Sequence, residues 1–330
     1  MQKTSSVDIV ITWVDGQDLE LSKKRQKYMA DTVARDARSA TRFANNDEIY
    51  FCIASVLKYM PDCGTIYIVT DNQQPEWLEQ FAVQHICAKD KIKVIDHRTL
   101  FLGYENNLPT FNSLSIETML WNIPGLADRF IYFNDDVFVN SASQVSDCFI
   151  EDKVVIYGQW KSNFLIKMKY LFRKFLHHNI GKQQQPKFTA AQMLSADMVG
   201  LKRYYALHHR PHFIQKERLQ NYFKQHPEVL LQQIGFKFRD FEQFLPVGLA
   251  NHLSIQHNKA ILKPDEQVAY VKPSEDIAEF LQALQNDAIK YGCIQSLDLM
   301  TETNQALIRN AMINKFGEFL PQELKSKVIS

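Results

Sequence analysis

Asn134-Asp135-Asp136 follows Arg129-Phe130-Ile131-Tyr132-Phe133, a run rich in aromatic and β-branched residues. Apolar runs of this kind are what buried parallel strands look like in sequence. In open α/β sheets, ligands bind beyond the carboxyl ends of such strands. Adjacent carboxylates at that position suit a hard divalent cation and, through it, a phosphate. The alternative is an Asn-Asp turn with solvated carboxylates, following the ordinary turn preference of these residues. Asp15, Asp71 and Asp96 also stand where apolar runs end, so polar residues converge on one edge. Farther along, His208-His209-Arg210-Pro211-His212 holds three imidazoles in five residues. A zinc set would want regular helical spacing and further ligands, which leaves a catalytic base, a phosphate ligand or a surface turn.

The elements that would position these groups alternate. Asp8–Val14, Ile66–Thr70, Ile92–Asp96 and Arg129–Phe133 read as strands. Leu19 to Arg38 has helical composition, and Ile49, Ile53, Val56, Leu57 and Met60 have core-facing helical spacing behind an Asn45 or Asn46 cap. Leu108-Pro109-Thr110-Phe111-Asn112-Ser113 opens a helix carrying Ile116, Met119 and Leu120, which stops at Pro124-Gly125. Strands alternating with helices to about residue 140 predict a βαβ-type, mainly parallel sheet.

The composition is that of an ordinary globular protein, with 45% hydrophobic and 23% charged residues in 330. A formal net charge of +1 gives no support to nucleic-acid binding. Five scattered cysteines without CxxC spacing fit reduced thiols in a cytosolic compartment. No signal core and no run of about twenty apolar residues is present. Residues 161–182 interleave lysines, arginine and histidines with Phe164, Leu165, Tyr170, Leu171, Phe172 and Phe175. Three readings apply to that segment: a solvated helix covering the sheet, a membrane-surface helix, or a track for an anionic polymer. The expected division is an α/β core over 1–150, a basic amphipathic insertion over 151–186, and a largely helical region over 187–330.

Taken together, these motifs resemble the Stealth family of sugar-1-phosphate transferases. The resemblance rests on Ile11-Thr12-Trp13-Val14-Asp15-Gly16, then Arg42-Phe43 with Asn46, Glu48 and Ile49, then Leu108-Pro109-Thr110-Phe111-Asn112-Ser113 with Glu117, and Ile131-Tyr132-Phe133-Asn134-Asp135-Asp136. His209-x-Pro211-His212 and Arg239 follow in the family's order. Leu114 stands where the family often has His, and Cys293-Ile294-Gln295-Ser296-Leu297-Asp298 departs from its last signature.

The resemblance implies a GT-A-like, Rossmann-type core and transfer of a hexose 1-phosphate from a UDP-sugar to a growing capsular glycan, with UMP released. It implies His209 as general base, Arg239 on the phosphoryl oxygens and Glu48 as an alternative base. Asp15, Arg42, Asn46, Asn112, His212, Lys216 and Asp298 become substrate contacts. Asp135 and Asp136 become ligands for Mg²⁺ or Mn²⁺, favoured over zinc because the donors are oxygens. The implied setting is the bacterial cytoplasm, with segment 161–182 available for contact with the inner membrane or capsule-assembly machinery. Two rivals remain on sequence: a glycosyltransferase releasing UDP, and an anionic-glycan-binding module.

Overall fold

The structure, a computed structural model, describes residues 6–29, 46–181, 184–273 and 275–326. Its central sheet is built from β1 (Val7–Thr12), β2 (Ile66–Thr70), β3 (Ile92–Asp96) and β4 (Arg129–Asn134), the strands read from sequence. They lie in the order β3-β2-β1-β4, all parallel. Ile9, Ile11, Phe130 and Phe133 are fully buried, each stabilising the fold by roughly 1.5–3 kcal/mol. The chain winds from β1 through β2 to β3, then returns to add β4 on the other side of β1. That reversal is a topological switch point, and it opens a crevice beyond the carboxyl ends of β1 and β4.

At Asn134 the chain leaves this sheet. After the turn Asp135-Asp136 it enters β5 (Val137–Val139), which belongs to a different, three-stranded sheet. The next strands are β6 (Phe149–Ile150), β7 (Lys153–Ser162), β8 (Arg203–Ala206) and β9 (His212–Gln215). The last are β10 (Ala260–Pro264), β11 (Ala269–Val271) and β12 (Tyr291–Ile294). β9 extends the central sheet antiparallel to β4, pairing Tyr132 with His212. β12 pairs antiparallel with β5, setting Gly292 opposite Phe138 and Cys293 opposite Val137. A Cβ at Gly292 would enter the Phe138 ring, so glycine there is what lets β12 approach β5. The region after residue 187 is helical over much of its length and also supplies strands to every sheet. One hydrophobic cluster runs from Val7 to Leu324.

The helices of the first half are α1 (Leu19–Gln26), α2 (Glu48–Tyr59), α3 (Gln80–Val83), α4 (His97–Leu100) and α5 (Ser113–Met119). Asp47, in the left-handed region at φ 70°, precedes α2, in place of the Asn45 or Asn46 cap expected. Asn112 caps α5 as its Oδ1 accepts from the Leu114 N–H. Two further helices are α6 (Phe164–Ile180), ended by Gly181 at φ 72°, and α7 (Phe188–Asp197). The cations of α6 do not form an outward track: Lys167 pairs with Asp197 at 2.6 Å and Lys174 with Glu242 at 2.9 Å. Arg173 donates to Gln184 and to the Gln185 carbonyl. No helix among the described residues is long and apolar enough to cross a membrane.

Candidate active site

The switch-point crevice gathers three carboxylates. Asp135 and Asp136 occupy the turn between the two sheets, and Glu48 opens α2. Glu48 is nearly buried, and its Oε2 accepts from the Asn46 N–H at 2.6 Å. Burial pushes Glu48 up to about 7, with the Asp136 charge adding to the effect. Burial likewise pushes Asp136 up to about 6. Asp135 is raised well above the carboxylate range by burial and by the charges of Asp136 and Glu48. Like charges held together away from water disfavour ionisation, and a cation between them reverses that penalty.

The residues fit such a cation. Asp136 Oδ1 has no hydrogen-bond partner although it is buried, while Oδ2 accepts from the Cys293 thiol at 3.6 Å. The Asp136 carbonyl accepts from the Ile294 N–H at 2.9 Å, which fixes the turn against β12. Among the described residues no three His, Cys, Asp or Glu side chains form a metal cage of their own. Mg²⁺ is ordinarily held in this incomplete way, by one or two carboxylates with substrate phosphates and water completing the shell.

A second network joins the crevice through Tyr132. Its hydroxyl lies 2.7 Å from Asn134 Oδ1 and 3.0 Å from Thr12 Oγ1, and it also reaches Glu117. Glu117 is buried on α5 and raised to about 7 by that burial, against the pull of Arg239 and hydrogen bonds from Ser113 and Tyr132. Arg239 donates to Ser113 Oγ. Arg239, Ser113, Glu117 and Tyr132 therefore form one chain of contacts ending at Asn134. Glu117 is the member that residue-type reasoning passed over; its signal was a carboxylate inside the apolar face of a predicted helix.

His209 lies in the loop between β8 and β9 and meets Tyr270 of the small sheet. Its ring stacks between Phe188 (6.0 Å) and Tyr270 (5.9 Å), both nearly parallel to it. Tyr270 in turn hydrogen-bonds Gln295. Desolvation by the flanking rings, with His208 and Lys272 nearby, lowers the His209 pKa, so the imidazole is neutral at pH 7. His212 stacks on Tyr132 at 6.4 Å and is lowered to about 3 by burial, which makes it a neutral donor instead of a cationic one.

Asp15 lies just past β1. The Gln73 amide clamps its backbone, accepting from the Asp15 N–H at 3.0 Å and donating to its carbonyl at 2.9 Å. Its Oδ1 accepts from the Gln17 N–H. Beside this clamp is a cavity of about 800 Å³ lined by Asp18, Leu21, Lys24, Asp71, Asn72 and Gln73. Lys24 reaches from α1 to Asp71, just past β2, at 2.6 Å.

Two expected substrate contacts, Asn112 and Lys216, are placed elsewhere. Asn112 is fully buried, and its Nδ2 donates to the Phe236 and Phe238 carbonyls and to Gln243, so it is a scaffold residue. It ties α5 to the segment that presents Arg239. Lys216 lies at the amino end of β4, where its Nζ donates to the Leu126 carbonyl and its N–H to the Asp128 carbonyl. That is about 20 Å from the acidic turn at the rise of an extended strand. Asp298 sits in the turn Leu297–Leu299, and Gln295 is the residue of that stretch that meets Tyr270. Asn46 stays at the crevice beside Glu48, and its carbonyl accepts from Arg309. Arg42 lies outside the described residues.

Residues 42–156 match Stealth protein conserved region 2, and residues 5–32 match conserved region 1. The chain carries conserved regions 1 and 2 of the Stealth family. Both regions run through the crevice, conserved region 1 carrying Asp15 and conserved region 2 carrying Glu48, Glu117, Asp135 and Asp136. The chain is 41% identical over 152 residues to the capsular polysaccharide phosphotransferase cps1A of Actinobacillus pleuropneumoniae, covering 45% of this chain and 39% of the relative. It is 46% identical over 137 residues to the capsular polysaccharide phosphotransferase LcbA of Aeromonas hydrophila, covering 40% and 35%. With the exopolysaccharide phosphotransferase cps2G of Lactiplantibacillus plantarum it shares 39% over 146 residues, covering 44% and 40%. The matches thus span about two-fifths of each of these relatives. Among solved structures it is similar to the apo WbbM bifunctional glycosyltransferase, with TM-score 0.49 and 10% identity over 100% of this chain and 53% of that one. Similarity to the galactosyltransferase LgtC with donor and acceptor sugar analogs has TM-score 0.46 and 13% identity, over 97% and 100%.

Proposed function

We propose that this protein transfers a sugar 1-phosphate from a UDP-sugar to a hydroxyl of a growing capsular glycan, releasing UMP. The observation that carries the reading is the acidic turn at the switch point, joined to Arg239 through Tyr132 and Glu117 and flanked by His209 across Tyr270. The phosphotransferase names of the sequence relatives favour attack at phosphorus over attack at a sugar carbon.

Asp135 and Asp136 would hold Mg²⁺ or Mn²⁺, which when bound neutralises the diphosphate charge. The cavity beside Asp15 and Gln73 would accept the nucleoside end of the donor. His209, neutral at pH 7 and held by two aromatic rings, takes the proton of the acceptor hydroxyl. As the acceptor oxygen bonds to the sugar-bearing phosphorus, the bond from that phosphorus to the UMP oxygen breaks. Arg239 donates to the phosphoryl oxygens as charge shifts to the leaving UMP. His212 adds a neutral N–H donor.

Incubating the protein with UDP-sugars, a capsular oligosaccharide and Mg²⁺ or Mn²⁺, then separating the nucleotides, tests the proposal. UMP is expected, and its formation should fall at least a hundredfold in His209→Ala and Arg239→Lys. UDP in place of UMP would make the protein a glycosyltransferase and end the proposal.

A further inference from the structure

α6 presents an apolar face to solvent. Phe164, Leu165, Met168, Leu171, Phe172 and Phe175 are each 47–69% exposed. At 100° per residue these six fall within an arc of about 120°. Scattered apolar side chains are ordinary on a surface, but six adjacent ones on a single helix face mark a binding surface. The inner face is already used: Tyr170 and His177 pack on Phe241 at 6.1 and 5.0 Å, two residues past Arg239.

Charge identifies the partner. α6 contains no Asp or Glu. Lysines flank both margins of the apolar arc, and Lys169 is exposed at one of them. Lys161, Lys202 and Arg203 are exposed around the first turn, where the Asn163 N–H donates to the Lys202 carbonyl. Lys167 and Lys174, at the other margin, are paired with Asp197 and Glu242, so the cationic rim is Lys169 together with the first-turn cations. An apolar face of Phe and Leu rimmed by Lys and Arg matches the boundary between anionic headgroups and acyl chains. An anionic polymer in water would gain nothing from the six apolar side chains.

We infer that α6 docks this protein flat on an anionic lipid bilayer, with Phe164, Leu165, Met168, Leu171, Phe172 and Phe175 entering the headgroup–acyl boundary. The helix is about 26 Å long at 1.5 Å per residue, so it lies in the interface. Its packing on Phe241 would hold the Arg239 side of the crevice near the membrane. The inference does not rest on the catalytic reading, because binding is measured without substrate.

The full chain is sedimented with vesicles of pure phosphatidylcholine and with vesicles containing phosphatidylglycerol. Wild type is expected to pellet with the anionic vesicles at least tenfold more strongly. Phe172→Ser/Phe175→Ser should reduce that partition at least tenfold. Lys161→Glu/Lys169→Glu should remove the preference for anionic lipid, while Leu231→Ser, an exposed position on another helix, should change nothing. Circular dichroism confirms that the variants fold. The inference is overturned if wild type stays in the supernatant, or if Phe172→Ser/Phe175→Ser binds vesicles like wild type. It is equally overturned if sedimentation velocity shows a dimer that the double serine variant dissolves, without vesicle binding.

Discussion

Replacing Glu117 with Gln separates burial from charge in the network behind Arg239. The carboxyl is held at about 7 in the folded protein against an ordinary 4.5. A group whose folded pKa is raised binds its proton more tightly when folded, so it destabilises the fold once it must ionise. At roughly 1.4 kcal/mol per pH unit, the wild-type carboxylate costs about 3 kcal/mol above pH 7 and almost nothing below pH 4.5. The Gln side chain keeps an acceptor oxygen for Ser113 and Tyr132 and has nothing to ionise. Urea unfolding at pH 5, 6, 7 and 8 should therefore show a gap of only about 1 kcal/mol at pH 5. The gap in favour of Glu117→Gln should then open to about 3 kcal/mol by pH 8 and level off. A stability difference that is constant with pH would refute the argument, since it would mean that Glu117 titrates as it does in the unfolded chain.

Asn112→Ala should destabilise the protein by about 3 kcal/mol, since it strips an α5 cap and leaves the Phe238 carbonyl without its Asn112 donor; urea denaturation measures it. If Asn112 were a substrate contact instead, stability would be unchanged and KM would rise. Asp135→Asn and Asp136→Asn should each abolish any rise in thermal midpoint on adding Mn²⁺ and lower turnover at least a hundredfold, read by calorimetry and nucleotide release; an undiminished Mn²⁺ shift would move the cation elsewhere. Because the His209 imidazole loses its proton more readily than an ordinary histidine, kcat/KM should rise with pH along an acid limb below pH 6.5 and then level off. An acid limb above pH 7 would exclude His209 as the base.

The parallel core was legible because a strand buried on both faces must be a continuous apolar run. Ile9-Val10-Ile11, Ile66-Tyr67-Ile68-Val69 and Phe130-Ile131-Tyr132-Phe133 are such runs. The carboxylates after β1 and β4 were visible as polar residues that end those runs. Composition could not show which end of a sheet a later residue reaches. Lys216 looked like a phosphate donor beside His212, but β9 runs antiparallel to β4 and carries it to the far edge. Asn112 has the chemistry of a ligand contact, and only the three acceptors brought up by residues 236–243 assign its amide to the scaffold. The lysines of α6 suggested a basic track because their acids lie far along the chain, Asp197 being 30 residues from Lys167.

The turn Asn134-Asp135-Asp136 also constrains the order in which the molecule can be finished. The strand before it pairs with residues made earlier, at β1. The strand after it pairs with β12, and the Cys293 that meets Asp136 lies 157 residues farther on. During synthesis the parallel core can close well before β5 has a neighbour, leaving an acidic turn at the end of an unpaired strand. Long-range pairing of this kind is slow because the loop must close before any contact repays it. The acidic turn is thus fixed on both sides only after Ile294 has left the ribosome, and a nascent or truncated chain ending before β12 would carry a formed switch-point crevice with an unbraced carboxylate pair.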